Sequence, residues 1–141
     1  SAASAGRGRE RPARMSERVA ILVWAAEPDT PHLCATPFHF AATAAAMDAE
    51  VEMYFTARSV QLPAKGVAET IYPGGRPGSE PTLAYFVQQA AQFGTRFFAC
   101  PTAMLAHGVD AAALRAEVSG QAGAAAFIGR TLDPAWRTLS F

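Results

Sequence analysis

The chain predicts one α/β domain, a three-layer α/β/α sandwich around a mostly parallel sheet of about five strands, and three observations carry that prediction. Val19 to Trp24 is an apolar run without alternation, the mark of a strand covered on both faces as in parallel sheets. Strand-like and helix-like segments then take turns to the C-terminus, the pattern of βαβ units. At 141 residues, half of them hydrophobic, the chain can bury one core without disulfides or metal.

The elements follow in order. Ser1 to Arg14, with Arg7, Arg9, Arg11 and Arg14 among Ser, Ala, Gly and Pro, has nothing to bury. A disordered tail is expected over residues 1–16, with Met15 as a natural start and the folded domain over residues 17–141. As an anionic-partner arm, four arginines would make only a weak, salt-sensitive contact. Val19 to Trp24 is then a central strand. A turn-rich connection with Pro28, Asp29 and Pro31 leads to an alanine-rich helix ending near Met47, with Thr36 expected as N-cap and Pro37 as first helical residue. Val51, Met53 and Phe55 alternate with Glu52, Tyr54 and Thr56, which predicts a second strand less completely covered on one face, near an edge or an interface.

Ala57 to Gly78 lacks periodicity and reads as a long loop. The next helix carries Leu83, Phe86, Val87, Ala90 and Phe93 on one face, with Ser79 near its start and Gly94 at its end. Arg96 to Ala99 is a short buried strand. Pro101 suits the first position of the following helix and Gly108 the residue just past its end. Asp110 suits the N-cap of a short helix through Ala116, Val118-Ser-Gly a short strand, Ala124 to Leu132 a last helix, and Trp136 to Phe141 a final strand.

Chemistry is expected at the junction of strand and helix at Cys100. A side chain at an N-cap faces backbone N–H groups that have no partner inside the helix, and the positive end of the helix dipole there favours a thiolate. The plainer alternative is a small buried hydrophobe closing the strand. Cys34 follows the first strand and would share the sheet edge where ligands of open parallel sheets bind. His32 and His39 flank it and are candidate bases, though polar residues at a helix start are the simpler reading. Cys100, Met104 and His107 recur at spacings that share one helix face, and sulfur with imidazole can hold Cu(I) or Zn. Met104 as core filler and His107 against the helix dipole account for both without a metal, so neither metal nor cofactor is assigned. Gly74, Gly75 and Gly78 around Arg76 match no phosphate-binding fingerprint, and neither Gly-x-Ser-x-Gly nor His-Glu-x-x-His occurs.

Twelve basic side chains balance twelve acidic ones, so no overall field draws the chain to nucleic acid or to an anionic membrane. The two cysteines make no disulfide framework and no Cys-x-x-Cys pair, which fits a reducing cytoplasm, and no apolar run approaches the length of a membrane span. The slim alanine-rich helix and abundant Phe leave more apolar area than one small sheet covers, so a homo-oligomer is expected.

Several stretches resemble the DsrE/DsrF-like family of small α/β proteins associated with sulfur relay. They are the opening strand Arg18 to Trp24, Pro37-Phe-His-Phe-Ala-Ala leading into Val51-Glu-Met-Tyr-Phe55, and Phe97-Phe-Ala-Cys-Pro-Thr-Ala-Met-Leu-Ala-His-Gly-Val109. Gly120-Gln-Ala-Gly-Ala-Ala-Ala-Phe127 and Leu139-Ser-Phe141 look like its closing pattern. The resemblance implies a persulfide carrier with Cys100 as the sulfur-bearing residue, assembly as a trimer or hexamer, and a sulfur donor and an acceptor protein as partners. Cys34 matches no motif of that family. The alternative is a non-catalytic oligomeric ligand-binding or structural protein of the same fold.

Overall fold

The structure, a computed structural model, describes residues 17–141; the expected tail over residues 1–16 lies outside them. Five strands form one sheet: β1 (Arg18–Val23), β2 (Glu50–Phe55), β3 (Arg96–Ala99), β4 (Val118–Gln121) and β5 (Arg137–Ser140). Their order is β4-β3-β2-β1-β5 and every neighbouring pair is parallel. The helices are α1 (Ala35–Ala46), α2 (Leu83–Gln92), α3 (Pro101–Ala106) and α4 (Ala124–Thr131).

This order explains which face each helix covers. From β1 to β4 the chain steps steadily across the sheet, and right-handed crossovers then keep the connecting helices on one face. There Ile21, Val51, Met53 and Phe97 pack with Phe38 of α1 and Val87 of α2 in the main core. Phe38 stacks on Phe55 at 5.5 Å and meets Phe97 edge-on at 5.8 Å. The step from β4 back to β5 runs the other way, so its helix must cross the opposite face. That face carries Ala20, Tyr54 and Trp136, with Phe127 of α4 above them.

Several sequence expectations are corrected. The second strand, β2, is the middle of the five and not near an edge, and its residues Val51 to Phe55 are all buried. Glu52, which suggested an open face, is 1 % exposed because three side chains hydrogen-bond it inside the fold. The first helix starts two residues earlier than expected. A 3₁₀ turn at Pro31–Leu33 winds directly into α1, so Cys34 rather than Thr36 is its N-cap. Pro37 is then the third residue of the helix, still within the first turn where no intrahelical N–H is needed. Helix α2 begins at Leu83 with Thr82 as N-cap, and Ser79 lies in the preceding turn.

The long loop contains 3₁₀ turns at Ala57–Gln61 and Ala68–Thr70. The short helix expected after Asp110 is one 3₁₀ turn, Ala111–Ala113, because Leu114 is drawn into an antiparallel bridge with Ala64 and Arg115 into ion pairs with Glu69 and Glu117. At the end of β2, Ala57 has φ +51°, the left-handed region that a Cβ disfavours. Ala57→Gly is therefore expected to raise stability by about 0.5 kcal/mol, the relief of strain less the entropy of glycine. Urea denaturation checks this, and an unchanged or lower midpoint would show that the turn carries no such strain.

Candidate functional site

Cys100 stands where β3 ends and α3 begins. Its amide donates to the Phe55 carbonyl at 2.9 Å, which continues the ladder from β2, and its carbonyl accepts from the Met104 amide at 2.9 Å, which opens the helix. Cys100 is the N-cap in extended conformation with Pro101 next to it, as the sequence implies. At the far end Gly108 has φ +68° and the Val109 amide bonds back to the Met104 carbonyl at 2.9 Å, closing α3 with the 6→1 bond of a Schellman turn. The short helix is thus fixed at both ends. The thiol hydrogen-bonds none of the helix amides, and the residue is 9 % exposed.

The thiol lines a cavity of about 160 Å³ at the C-terminal edge of the sheet. Leu22 from β1, Phe55 from β2, Thr56 just past it, and Ala122 just past β4 supply the sheet side. Ala124, Phe127 and Ile128 of α4 supply the other. Gly123, the N-cap of α4, packs against the sulfur: a Cβ there would lie 3.1 Å from Cys100 Sγ, tighter than ordinary packing, so glycine eases this close approach of the helix.

Helix α4 buries none of its own residues, so polar anchors hold it in place. Arg130 Nε and NH2 donate to the two Glu52 oxygens at 2.9 and 3.0 Å, and its guanidinium lies 4.1 Å from the centre of the Trp136 ring. Glu52 also accepts from Tyr54 Oη at 2.7 Å and Arg96 NH2 at 2.8 Å. Burial opposes the charge on Glu52, but the hydrogen bonds from Arg130 and Tyr54 and the charges of Arg130 and Arg96 outweigh it. The carboxyl is held below its usual range. Burial and the adjoining Glu52 push the Tyr54 phenol up, so it stays a protonated donor. Tyr54 also lines the cavity and touches Phe98 and Phe127 at ring distances of 5.3 and 5.6 Å.

The other candidate residues are distributed elsewhere. Met104 packs in the same cluster as Cys100, with Val60, Ala99 and Ala103, while His107 is the half-buried C-cap of α3. His32 and His39 are exposed, on the 3₁₀ turn and on α1. Cys34 belongs to the main core on the α1 side, fully buried, where its thiol donates to the carbonyls of Glu27 and Thr30 at 3.3 and 3.4 Å. Burial, reinforced by the charge of Glu27, pushes that thiol up to about 11. Cys34, His32, His39, Met104 and His107 stand outside the lining of the cavity at Cys100. Both cysteines are free. Among the described residues no group of three or more His, Cys, Asp or Glu side chains could hold a metal ion, and no helix is long and apolar enough to cross a membrane.

Sequence reasoning missed Tyr54, Phe127, Gly123 and the Glu52–Arg130 pair. The pattern of β2 assigns Glu52 to an open face, and its main partner lies 78 residues further along the chain. Gly123 ahead of three alanines was the one local hint of a close approach.

The same architecture occurs in solved structures. The YchN protein of E. coli matches with a TM-score of 0.69 at 13 % identity, over 90 % of this chain and 100 % of that one. MTH1491 of Methanobacterium thermoautotrophicum, described as a protein of unknown function, matches with a TM-score of 0.63 at 16 % identity, over 89 % and 99 %. At such identities these likenesses establish the fold alone. No curated protein matches the sequence. The model of the DsrE/DsrF-like family matches residues 18–141, all but the first of the described residues, and the chain belongs to that family.

Proposed function

We propose that this protein carries sulfane sulfur as a persulfide on Cys100 and passes it to a partner protein in a reducing cytoplasm. The observation that carries the reading is a thiol, free of hydrogen bonds to its own helix, in the wall of a cavity at the sheet edge where ligands of parallel α/β folds bind. Membership of a family associated with sulfur relay supports the same reaction. Cys100 both lines the cavity and packs with Val60, Ala99 and Met104, which suits an adduct that must survive until its acceptor docks.

Cys100→Ser tests it. Serine is a good N-cap of nearly the same size, so the variant should keep the parent's thermal transition. After exposure to a sulfane-sulfur donor, peptide mass spectrometry should find one added sulfur on Cys100 of the parent and none on the variant. Uptake by the variant at the parental level would exclude Cys100 as the carrier.

The second reading, an oligomeric ligand-binding protein in which Cys100 only packs, is favoured by the place of Cys100 in that same apolar cluster. Both readings share an assembly, a trimer or hexamer. Trp24, Ile128, Leu132 and Leu139 remain exposed in the single chain, two of them on α4 or at its C-terminal end. Light scattering at micromolar concentration should give a multiple of the 14.9 kDa chain mass, and a monomer there would rule out the assembly.

A further inference from the structure

The cavity beside Cys100 has properties that select a ligand. Its volume, about 160 Å³, is close to that of an engineered apolar cavity of about 150 Å³ that stays dry and binds benzene. No lining side chain is charged. Apart from the thiol, its side-chain polar groups are the hydroxyls of Thr56 and Tyr54, and the Tyr54 hydroxyl already donates its hydrogen bond to Glu52. Glu52 and Arg130 stand outside the lining and pair with each other, so neither charge is free to pair with a ligand. Such a space accepts a ring or short alkyl chain. It penalises a carboxylate or an ammonium, which would lose water and find no partner.

We propose that this cavity is the donor subsite, taking the uncharged apolar body R of a small organic hydropersulfide, R–S–SH, and holding its outer sulfur against Cys100. This rests on the persulfide-carrier reading of the same site. The Cys100 thiolate attacks the outer sulfur, a Cys100 S–S bond forms, and the R–S–SH sulfur–sulfur bond breaks. The bonding pair leaves with RS⁻, which takes a proton from water to become RSH. The transferred sulfur keeps its own hydrogen, and Cys100 ends as Cys–S–SH. The donor is reduced to a thiol as Cys100 is oxidised to the persulfide level, so no further oxidant is needed. Glutathione hydropersulfide has the same reacting sulfurs but brings carboxylates and an ammonium, so its charged body stays outside the cavity while its outer sulfur reacts.

The experiment compares the loading rate of Cys100 from benzyl hydropersulfide and from glutathione hydropersulfide, read by peptide mass. It also measures the binding of unreactive fluorobenzene by fluorine NMR. The benzyl donor should load Cys100 faster by about ten-fold or more, the order expected when a phenyl-sized apolar surface is buried, and fluorobenzene should bind saturably. Ala124→Leu, at an exposed position on the cavity wall, should abolish fluorobenzene binding and bring the two donor rates together. Ile128→Trp, at a wall position 51 % exposed, should do the same and serves if the first variant folds poorly. Equal loading by both donors in the parent, or a benzyl preference that survives both variants, overturns the donor subsite and leaves the carrier reading standing. Loading by neither donor overturns the carrier reading and the donor role with it, and fluorobenzene binding would then report an apolar ligand site only.

Discussion

With limiting iodoacetamide near neutral pH, peptide mapping is expected to find Cys100 alkylated almost to the exclusion of Cys34. Two effects act on Cys34. Its thiol is pushed up to about 11 from an ordinary value of 9.0, so its thiolate is rarer than that of an ordinary thiol by a factor of about 100. It is also fully buried in the main core, so reagent reaches it only when the packing around α1 opens. Cys100 needs no such opening, because its sulfur lines a cavity. The preference should narrow as pH rises towards 11, where Cys34 ionises. A thiol whose folded value is raised contributes stability that is fully present below its unfolded value and is lost as pH rises from about 9 through 11. Over that interval the parent should lose about 2–3 kcal/mol that Cys34→Ala keeps. Labelling of Cys34 ahead of Cys100 would place the reactive thiol at the wrong end of this argument.

The second large effect is expected at Arg130. Arg130→Met removes two of the four hydrogen bonds to a carboxylate that is 1 % exposed, together with the guanidinium over Trp136. Breaking a fully buried ion pair costs about 3–5 kcal/mol; here Arg130 is partly open to solvent and Arg96 stays behind, so a loss of about 2 kcal/mol is expected in urea denaturation at pH 7. The sign of the pH dependence follows from Glu52, whose carboxyl is held below its usual range. A depressed carboxyl contributes stability above its unfolded value of about 4.3, and that stability is lost as pH falls through the lower folded value. The difference between parent and variant should therefore shrink on acidification below about pH 4. A difference equal at pH 7 and pH 3 would assign the effect to packing of the arginine stem rather than to charge.

How far the sequence reaches into this structure depends on the range of each contact. The continuous run Val19 to Trp24 announces β1, and Pro101 with Gly108 bounds α3 almost to the residue, because each signal acts within one turn or one strand. The cysteine at the strand-to-helix junction is legible for the same reason. Glu52 is misread because period-two alternation reports only polarity, and a glutamate facing Arg96 and Arg130 inside the fold has the same letter as one facing water. Cys34 is misplaced because the residue taken as the cap, Thr36, is the commoner N-cap type, whereas the 3₁₀ turn before it had already set the helix winding. The cavity is not legible at all. It is made by four strand ends and a helix that meet only once the strand order is known, and its closeness to Cys100 depends on a missing Cβ at Gly123.

The sheet order has a further consequence for how the protein is made. β5, the sheet's most C-terminal strand, pairs with β1, its most N-terminal, with Val19 opposite Arg137, and the Phe141 carbonyl accepts from the amides of Trp24 and Ala25. While the chain emerges from the ribosome, β1 presents a bare, apolar edge until β5 is free to pair with it, and such edges recruit other strands. The helix that walls the cysteine's cavity lies in the same late segment, between β4 and β5. Cys100 is therefore made well before its enclosure, and a nascent chain stalled short of Arg137 would expose both its thiol and an unpaired strand.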